Sequence, residues 1–230
     1  MKKKIAAFCS IALLVTSFAL SGCVFTAQSP IGPDKVSSYA EGLGAESYDG
    51  KGFLKKMNKT YGFDEDGSYA VMDSSELKKY FDDKGISDGN TVELEYESSM
   101  VSGAIYFLGK YEGDGKCQYE VFAVEFEEEK DAEDYFDDVV EIIEANLERI
   151  KSSATTDSDS GKDDEINYFV SSKIFGIGRL NPPLAIYNAV YQDGKYLLFI
   201  TGNDYGTNFN TEDAIEGWCD EFGIVSPTNF

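Results

Sequence analysis

Residues 184–201 read Leu-Ala-Ile-Tyr-Asn-Ala-Val-Tyr-Gln-Asp-Gly-Lys-Tyr-Leu-Leu-Phe-Ile-Thr, two apolar and aromatic runs with Gln192-Asp193-Gly194-Lys195 between them. Such runs on either side of an Asp-Gly pair are typical of a β-hairpin, and Asp-Gly favours a type I′ turn. The stretch therefore predicts two antiparallel strands, Leu184 to Tyr191 and Tyr196 to Thr201.

A helix is expected after this hairpin, and the same order of elements occurs earlier in the chain. The later helix is capped by Asn210 or Thr211, and its apolar residues share helical spacing: Ala214, Ile215, Trp218 and Phe222. Earlier, strands near 103–111 and 118–126 precede a long helix over 129–150. Hairpin followed by helix thus occurs twice, near 103–150 and 184–223. The repeat indicates either two related ββα halves or two units that arose separately.

Locally paired strands followed by helices predict an α+β fold, with a mostly antiparallel sheet and helices packed on one face. Further helices are expected around 52–61 and after Asp73, where Glu76 three residues later completes a capping box. A strand over 91–98 alternates apolar residues with glutamates. In the 129–150 helix, the apolar stripe contains Phe136, while Asp134, Asp137 and Glu141 fall on a solvated face that we expect to be scaffold.

The N-terminal residues carry a targeting pattern. Lys2, Lys3 and Lys4 precede an apolar stretch over 5–19, which ends in Leu20-Ser21-Gly22-Cys23. This resembles a bacterial lipoprotein signal peptide with its lipobox, over about the first tenth of the chain. The resemblance implies cleavage before Cys23, diacylglycerol on its sulfur, and acyl chains that anchor the protein on the extracytoplasmic side of the cell membrane. The alternative is an ordinary secretory signal or signal anchor with an incidental cysteine.

The rest of the chain divides by composition. After the signal peptide of residues 1–22, residues 23–47 are rich in Ser, Gly, Ala and Pro and are predicted to form the lipidated cysteine and a flexible tether. Residues 48–230 are predicted to form a single α+β domain. Within it, residues 152–164 have almost no apolar content, which predicts a disordered loop.

The strongly acidic composition limits the partners. Removing residues 1–22 takes away three lysines and no acidic residue, so the formal net charge changes from −22 to −25. Such a surface repels nucleic acid and favours cations and basic proteins. A plainer reading is that the charge keeps an exported protein soluble.

Two cysteines remain after Cys23. Outside the cytoplasm, Cys117 and Cys219 could form a disulfide. The competing interpretation is two small buried side chains, because Cys219 shares helical spacing with Ile215, Trp218 and Phe222.

The chain contains no histidine, which excludes Ser-His-Asp and Cys-His catalysis and histidine-ligated metals. No phosphate-binding or dinucleotide-binding motif is present, so no cofactor is expected. The segments Asp64-Glu65-Asp66-Gly67 and Asp157-Ser158-Asp159-Ser160-Gly161 each match only a fragment of a calcium loop, and no metal site is assigned.

The loop between the last predicted strand and helix contains Tyr205 and Phe209, which no periodicity assigns to the core. They are candidate partner-binding residues, with local packing as the alternative. Together these features predict a membrane-anchored, non-catalytic binding or accessory lipoprotein. It would bind the membrane through its lipid and a protein or cell-envelope partner, without nucleic acid. The alternatives are a small carboxylate-dependent cell-wall enzyme and a calcium-dependent surface module.

Overall fold

The structure, a computed structural model, describes residues 29–57, 67–81, 86–87, 93–94, 100–109, 118–176, 184–204 and 211–229. In these ranges the helices are α1 (Pro33–Gly42), α2 (Gly50–Met57), α3 (Ser74–Phe81), α4 (Glu129–Ile150) and α5 (Thr211–Phe222). The strands are β1 (Glu46–Tyr48), β2 (Ser68–Asp73), β3 (Ile86–Ser87), β4 (Glu93–Leu94), β5 (Val101–Leu108), β6 (Gln118–Phe126), β7 (Ala154–Asp163), β8 (Ile166–Phe175), β9 (Leu184–Asp193) and β10 (Tyr196–Asp204).

Eight strands form one sheet in the order β1-β2-β5-β6-β10-β9-β8-β7, and β3 and β4 pair separately. Within the large sheet β1 pairs with β2 in parallel, and the other neighbouring strands pair antiparallel. The predicted α+β class and mostly antiparallel sheet are confirmed. The quoted hairpin lies near the centre of the sheet.

Helices cover both faces of the sheet, which corrects the prediction that they pack on one face. On the α4 face, α2, α3 and α4 bury alternate strand residues such as Phe122 and Val190. On the α5 face, α1 and α5 bury the strand residues in between, such as Val121 and Ala189. The physical reason is that the central strands are apolar at consecutive positions and therefore need a covering layer on each side.

The order ββα does occur twice, as β5-β6-α4 and β9-β10-α5. However, α4 and α5 lie on opposite faces of the sheet, and β6 and β10 are antiparallel neighbours at its centre. We compare the two hairpins by viewing each from the side of its own helix with its second strand pointing up. In this view the first strand lies to the left of the second in one hairpin and to the right in the other. The two units have opposite hands, so no rotation superimposes them, which argues against a duplicated ββα unit.

The tether predicted over 23–47 is wrong for residues 29–47, which belong to the folded domain. Pro33 begins α1, and the helix packs on the α5 face. Ile31, Val36 and Ala40 have 0% of their surface exposed. The Ser- and Gly-rich composition concealed a short amphipathic helix because three apolar side chains are enough to bury it against a sheet.

The disordered loop predicted over 152–164 is also wrong, because β7 occupies residues 154–163. It pairs with β8 through ten consecutive residue pairs, from Ala154 with Phe175 to Asp163 with Ile166. As an edge strand with both faces mostly exposed, β7 needs no apolar residues. The backbone ladder to β8 holds it in place.

Other local predictions are confirmed. Helix α4 spans 129–150 and buries Ala132, Val139, Ile143 and Leu147. The Asp73 carboxylate accepts a hydrogen bond from the Glu76 amide at 2.9 Å, as expected for a helix cap.

The hairpin turn differs from the expected type I′, because β9 extends to Asp193 and positive φ occurs at Gly194 but not at Lys195. A type I′ turn needs positive φ at both central residues.

Candidate functional site

A groove of about 400 Å³ lies on the α4 face, between α4 and the outer strands β7 and β8. We call it the α4–β8 groove. Helix α4 supplies one wall with Phe136 and Val140, which are half-buried, and with Glu133 and Asp137, which are exposed. The other lining residues come from the strands: Ser160, Gly161, Asn167, Tyr168, Phe169 and Gln192. The groove is therefore apolar on part of its wall, polar on its floor and acidic at its rim.

The polar floor of the groove is held by hydrogen bonds. The Asn167 side-chain amide donates to Gln192 Oε1 at 2.5 Å. The Gln192 amide in turn donates to the Gly194 carbonyl oxygen at 2.5 Å. Both side chains are thus fixed in orientation before any ligand arrives, which lowers the entropy cost of binding.

The electrostatic field of the groove is negative. Glu133 and Asp137 lie one turn apart on α4, and the neighbouring strand β7 adds Asp157, Asp159 and Asp163, which project from the other face of the sheet. Lys162 of that strand lies on the same side of the sheet as the groove and pairs with Glu165 at 3.5 Å. An acidic groove with an aromatic wall suits a chain that carries Lys or Arg side chains, since the acids attract the charge and the wall accepts the aliphatic stem.

The arrangement of the acids suits binding better than acid–base chemistry. Two-carboxylate hydrolysis needs acids on opposite sides of the bond that is cleaved. Here Glu133 and Asp137 belong to the same wall of the groove. They can bind a cation together, but they do not flank a bond.

A second groove, of about 500 Å³, lies on the other face of the sheet between α1 and α5. We call it the α1–α5 groove. Its aromatic residues are Tyr39 and the buried Phe222, and Tyr39 donates a hydrogen bond to the Gly217 carbonyl oxygen at 3.1 Å. The same ring packs edge-on against Trp218, with centroids 4.7 Å apart. Because Tyr39 is committed to joining α1 to α5, this groove has less aromatic surface to offer a ligand.

A row of polar residues crosses the sheet on the α4 face: Glu120, Thr201, Asn188, Ser171 and Ser158 are successive register partners on β6, β10, β9, β8 and β7. Ser171 is 0% exposed and Asn188 is 3% exposed. Among the described residues, the Ser171 hydroxyl and both polar atoms of the Asn188 amide have no hydrogen-bond partner. Such groups are rare in protein cores, where they usually bind ordered water. Because these unpartnered groups of Ser171 and Asn188 are enclosed, the α4–β8 groove is the better candidate for a partner.

The α5 face is a packed core rather than a site. Cys219 lies there, 1% exposed, and its sulfur lies 3.7 Å from the Tyr191 hydroxyl. Burial raises the pKa of Cys219 to about 11. Burial likewise raises the pKa of Tyr191, whose hydroxyl donates to the Val225 carbonyl oxygen at 2.6 Å. Both groups are therefore neutral and unreactive at physiological pH.

Several predicted site residues lie outside the described residues: Cys23, Cys117, Tyr205 and Phe209. Lipidation at Cys23, partner binding by Tyr205 and Phe209, and a Cys117–Cys219 disulfide therefore stay predictions. The structure places Asp157-Ser158-Asp159-Ser160-Gly161 in strand β7, so this segment has an extended backbone and does not form a calcium-binding loop. Residues 64–66 of the other fragment are outside the described part. Across the described ranges, no three potential metal ligands cluster.

The sequence did not single out the α4–β8 groove. The spacing of Glu133 and Asp137 is that of ordinary solvated helix positions. The composition of β7, on the other side of the groove, predicts a loop. The available signal was the two-residue turn Asp164-Glu165 directly before the apolar run of β8, which indicates that the preceding residues pair back along it.

The comparisons with known proteins leave the family open. No family model matches the sequence, and no curated protein matches it. Among solved structures, the extracellular domain of PknH from Mycobacterium tuberculosis is similar with a TM-score of 0.33 and 8% identity, covering 59% of this chain and 73% of that chain. An uncharacterized protein of Mycobacterium smegmatis, an orthologue of Rv0999, is similar with a TM-score of 0.31 and 14% identity, covering 74% and 93%. At TM-scores this low the similarity carries no functional argument. Of the helices that the structure describes, none combines the length and apolar composition needed to cross a bilayer.

Proposed function

We propose that this protein is a lipid-anchored, extracytoplasmic binding protein without catalytic activity, and that its α4–β8 groove binds a cationic segment of another envelope protein. The anchor rests on Cys23 and the lipobox before it. The absence of histidine from the chain and the position of both groove acids on one wall favour binding over catalysis.

The short distance between the anchor and the fold favours the α4 face as the outward surface. Ser29, where the described chain begins, is six residues beyond Cys23, which limits their separation to about 20 Å even when fully extended. The adjoining helix α1 packs on the α5 face. An anchored molecule therefore keeps its α5 face near the membrane, and the sheet separates that face from the α4–β8 groove.

The groove itself carries the proposal. It combines a half-buried aromatic wall, a fixed amide floor and exposed acids on the same surface. A basic, partly apolar peptide segment can satisfy all three at once, since its charges meet the acids while its aliphatic stems cover Phe136 and Val140. Anionic partners are repelled by the same field.

Membrane fractionation tests the anchor. The Cys23→Ser variant has no acceptor for the lipid, so we expect it to leave the detergent phase or to stay unprocessed. A Cys23→Ser protein that is still processed at this position and still partitions into detergent would contradict the lipid anchor.

Co-purification from solubilised membranes tests the groove. The double variant Glu133→Lys, Asp137→Lys reverses two exposed charges in the groove and should lose basic partner proteins that the wild-type chain retains. The matched control Asp138→Lys, Glu141→Lys makes the same charge change on exposed α4 positions outside the groove and should retain them. Equal retention by both variants would refute the groove as the binding surface.

A further inference from the structure

Strand β7 forms an open edge beside the groove. It is the last strand of the sheet, and its partner in the described structure is β8. Its ten pairs with β8 run without a register shift, and its sequence contains no proline. Proteins usually protect exposed edges with proline, bulges, charged side chains or very short strands, and of these β7 has only the charged side chains. The opposite edge, β1, is only three residues long, whereas β7 offers a long and regular edge.

The hairpin geometry tells which backbone groups face outward. Asp163 and Ile166 flank the two-residue turn, where Asp164 has positive φ. The pair that flanks such a turn exchanges hydrogen bonds, and bonded and non-bonded pairs then alternate along the strands. The amides of Lys162, Ser160, Ser158 and Thr156 therefore point away from β8. The Ser158 amide donates to the Asp157 carboxylate at 2.9 Å, a local hydrogen bond that an added strand would replace. Ser160 lines the α4–β8 groove, so these outward amides lie along its open side.

The side chains of β7 define what can pair there. Asp157, Asp159 and Asp163 project from the α5 face, because Ser158 and Ser160 alternate with them on the α4 face. Asp159 accepts a hydrogen bond from the Tyr168 hydroxyl at 3.0 Å. A second copy of this chain would bring its own aspartates close to these, and like charges across neighbouring strands are destabilising. The charges thus oppose self-association while favouring a basic strand.

Resting on the proposed function, we propose that the partner binds by adding a β-strand to β7. Its Lys or Arg side chains, at alternate positions, face Asp157, Asp159 and Asp163. The intervening side chains lie on the α4 face, where apolar or aromatic residues cover Phe136 and Val140 and a further Lys or Arg reaches Glu133 and Asp137. Backbone hydrogen bonds to the outward amides give affinity, and the alternating pattern gives specificity.

A synthetic peptide tests this binding mode. The probe is an extended peptide of about eight residues that alternates lysine with valine and tyrosine, a typical strand length. Its binding to the full-length chain in detergent micelles is measured by fluorescence anisotropy. Two matched peptides serve as controls, one N-methylated at alternate backbone amides and one with glutamate in place of lysine. We expect binding that weakens with salt, and loss of about tenfold or more in affinity for each control.

The variant Ser158→Pro removes one outward amide and its exposed local hydrogen bond to Asp157, but no hydrogen bond to β8, as prolines are tolerated at such edge positions. We expect it to lose about tenfold in peptide affinity at an unchanged melting temperature. The variant Ser158→Ala keeps the amide and should bind like the wild-type chain. If Ser158→Pro impairs folding, hydrogen exchange on the wild-type chain decides, with new protection of the Ser158 and Ser160 amides when the peptide binds.

Equal binding of the N-methylated peptide, or no new amide protection, would overturn strand addition. Failure of this proposal can be told apart from failure of the proposed function. If the probe does not pair with β7 but Glu133→Lys, Asp137→Lys still loses the natural basic partner, the groove binds its partner in another way. If neither effect is found, the proposed function fails as well.

Discussion

Cys219 should be almost inert to thiol reagents in the folded protein and reactive once the protein unfolds. It is 1% exposed beneath the Tyr191 hydroxyl, and burial raises its pKa to about 11. At pH 8 a thiol with that pKa is ionised to about one part in a thousand, against about one part in four for an ordinary cysteine of pKa 8.5. Because the thiolate is the reactive form, ionisation alone should slow labelling by about 200-fold, and burial slows it further.

The assay is labelling by Ellman's reagent of the full-length protein purified from membranes, with and without concentrated guanidinium chloride. The variant Cys117→Ser serves as control, because Cys219 is then the one thiol left in a lipidated, processed chain. We expect slow labelling of the folded Cys117→Ser control and rapid labelling once it unfolds. Rapid labelling of the folded control would refute the burial of Cys219. Wild-type protein that labels after unfolding only when a reductant is added would show that Cys117 and Cys219 form a disulfide.

Three further predictions concern packing and pH. A Cβ at Gly109 would lie 1.9 Å from the buried Tyr119 ring, so Gly109→Ala should cost about 3 kcal/mol in a denaturant titration; a wild-type midpoint would contradict this close approach. Burial raises the pKa of Tyr119 to about 12, so its contribution to stability is complete below about pH 10 and falls by up to about 1.4 kcal/mol per pH unit as the pH rises towards 12. Denaturation at several alkaline pH values should show this fall, and Tyr119→Phe should lessen it. Ile143→Ala should lower the free energy of unfolding by about 2–5 kcal/mol, because Ile143 is buried. Phe136→Ala should lower it by less, because Phe136 is half-buried at the groove. The reverse order of denaturation midpoints would show that α4 is rotated.

The elements that the sequence predicts well are those that bury the most apolar residues. The hairpin of β9 and β10, apolar at consecutive positions, and the amphipathic helix α4 agree closely with the structure, because each buries enough apolar side chains to determine its own conformation. The failures are elements that depend on their neighbours. Strand β7 has almost no apolar residues and is defined by its pairing with β8. Helix α1 fully buries only Val36 and Ala40, together with Ile31 just before it.

The candidate site could not be predicted from the sequence for a related reason. Phe136 and Ser160 come together only when β7 pairs with β8 beneath α4, so no local pattern connects them. The polar row shows the same limit, since Ser171, Asn188 and Thr201 lie far apart along the chain and are aligned by strand register. The burial of Ser171 and Asn188 follows from the layers that cover the sheet. The pattern of residues within one strand does not predict it.

We propose above that the α4–β8 groove binds a basic partner on the extracytoplasmic side of the membrane. Photo-crosslinking in intact cells tests this binding directly. A benzophenone amino acid replaces Ser160, which lines the groove, or Ser38, which lines the α1–α5 groove as a matched control. We expect a crosslinked basic protein from position 160 that disappears with Glu133→Lys, Asp137→Lys, and no such product from position 38. A protein captured from position 38 but not from position 160 would contradict it.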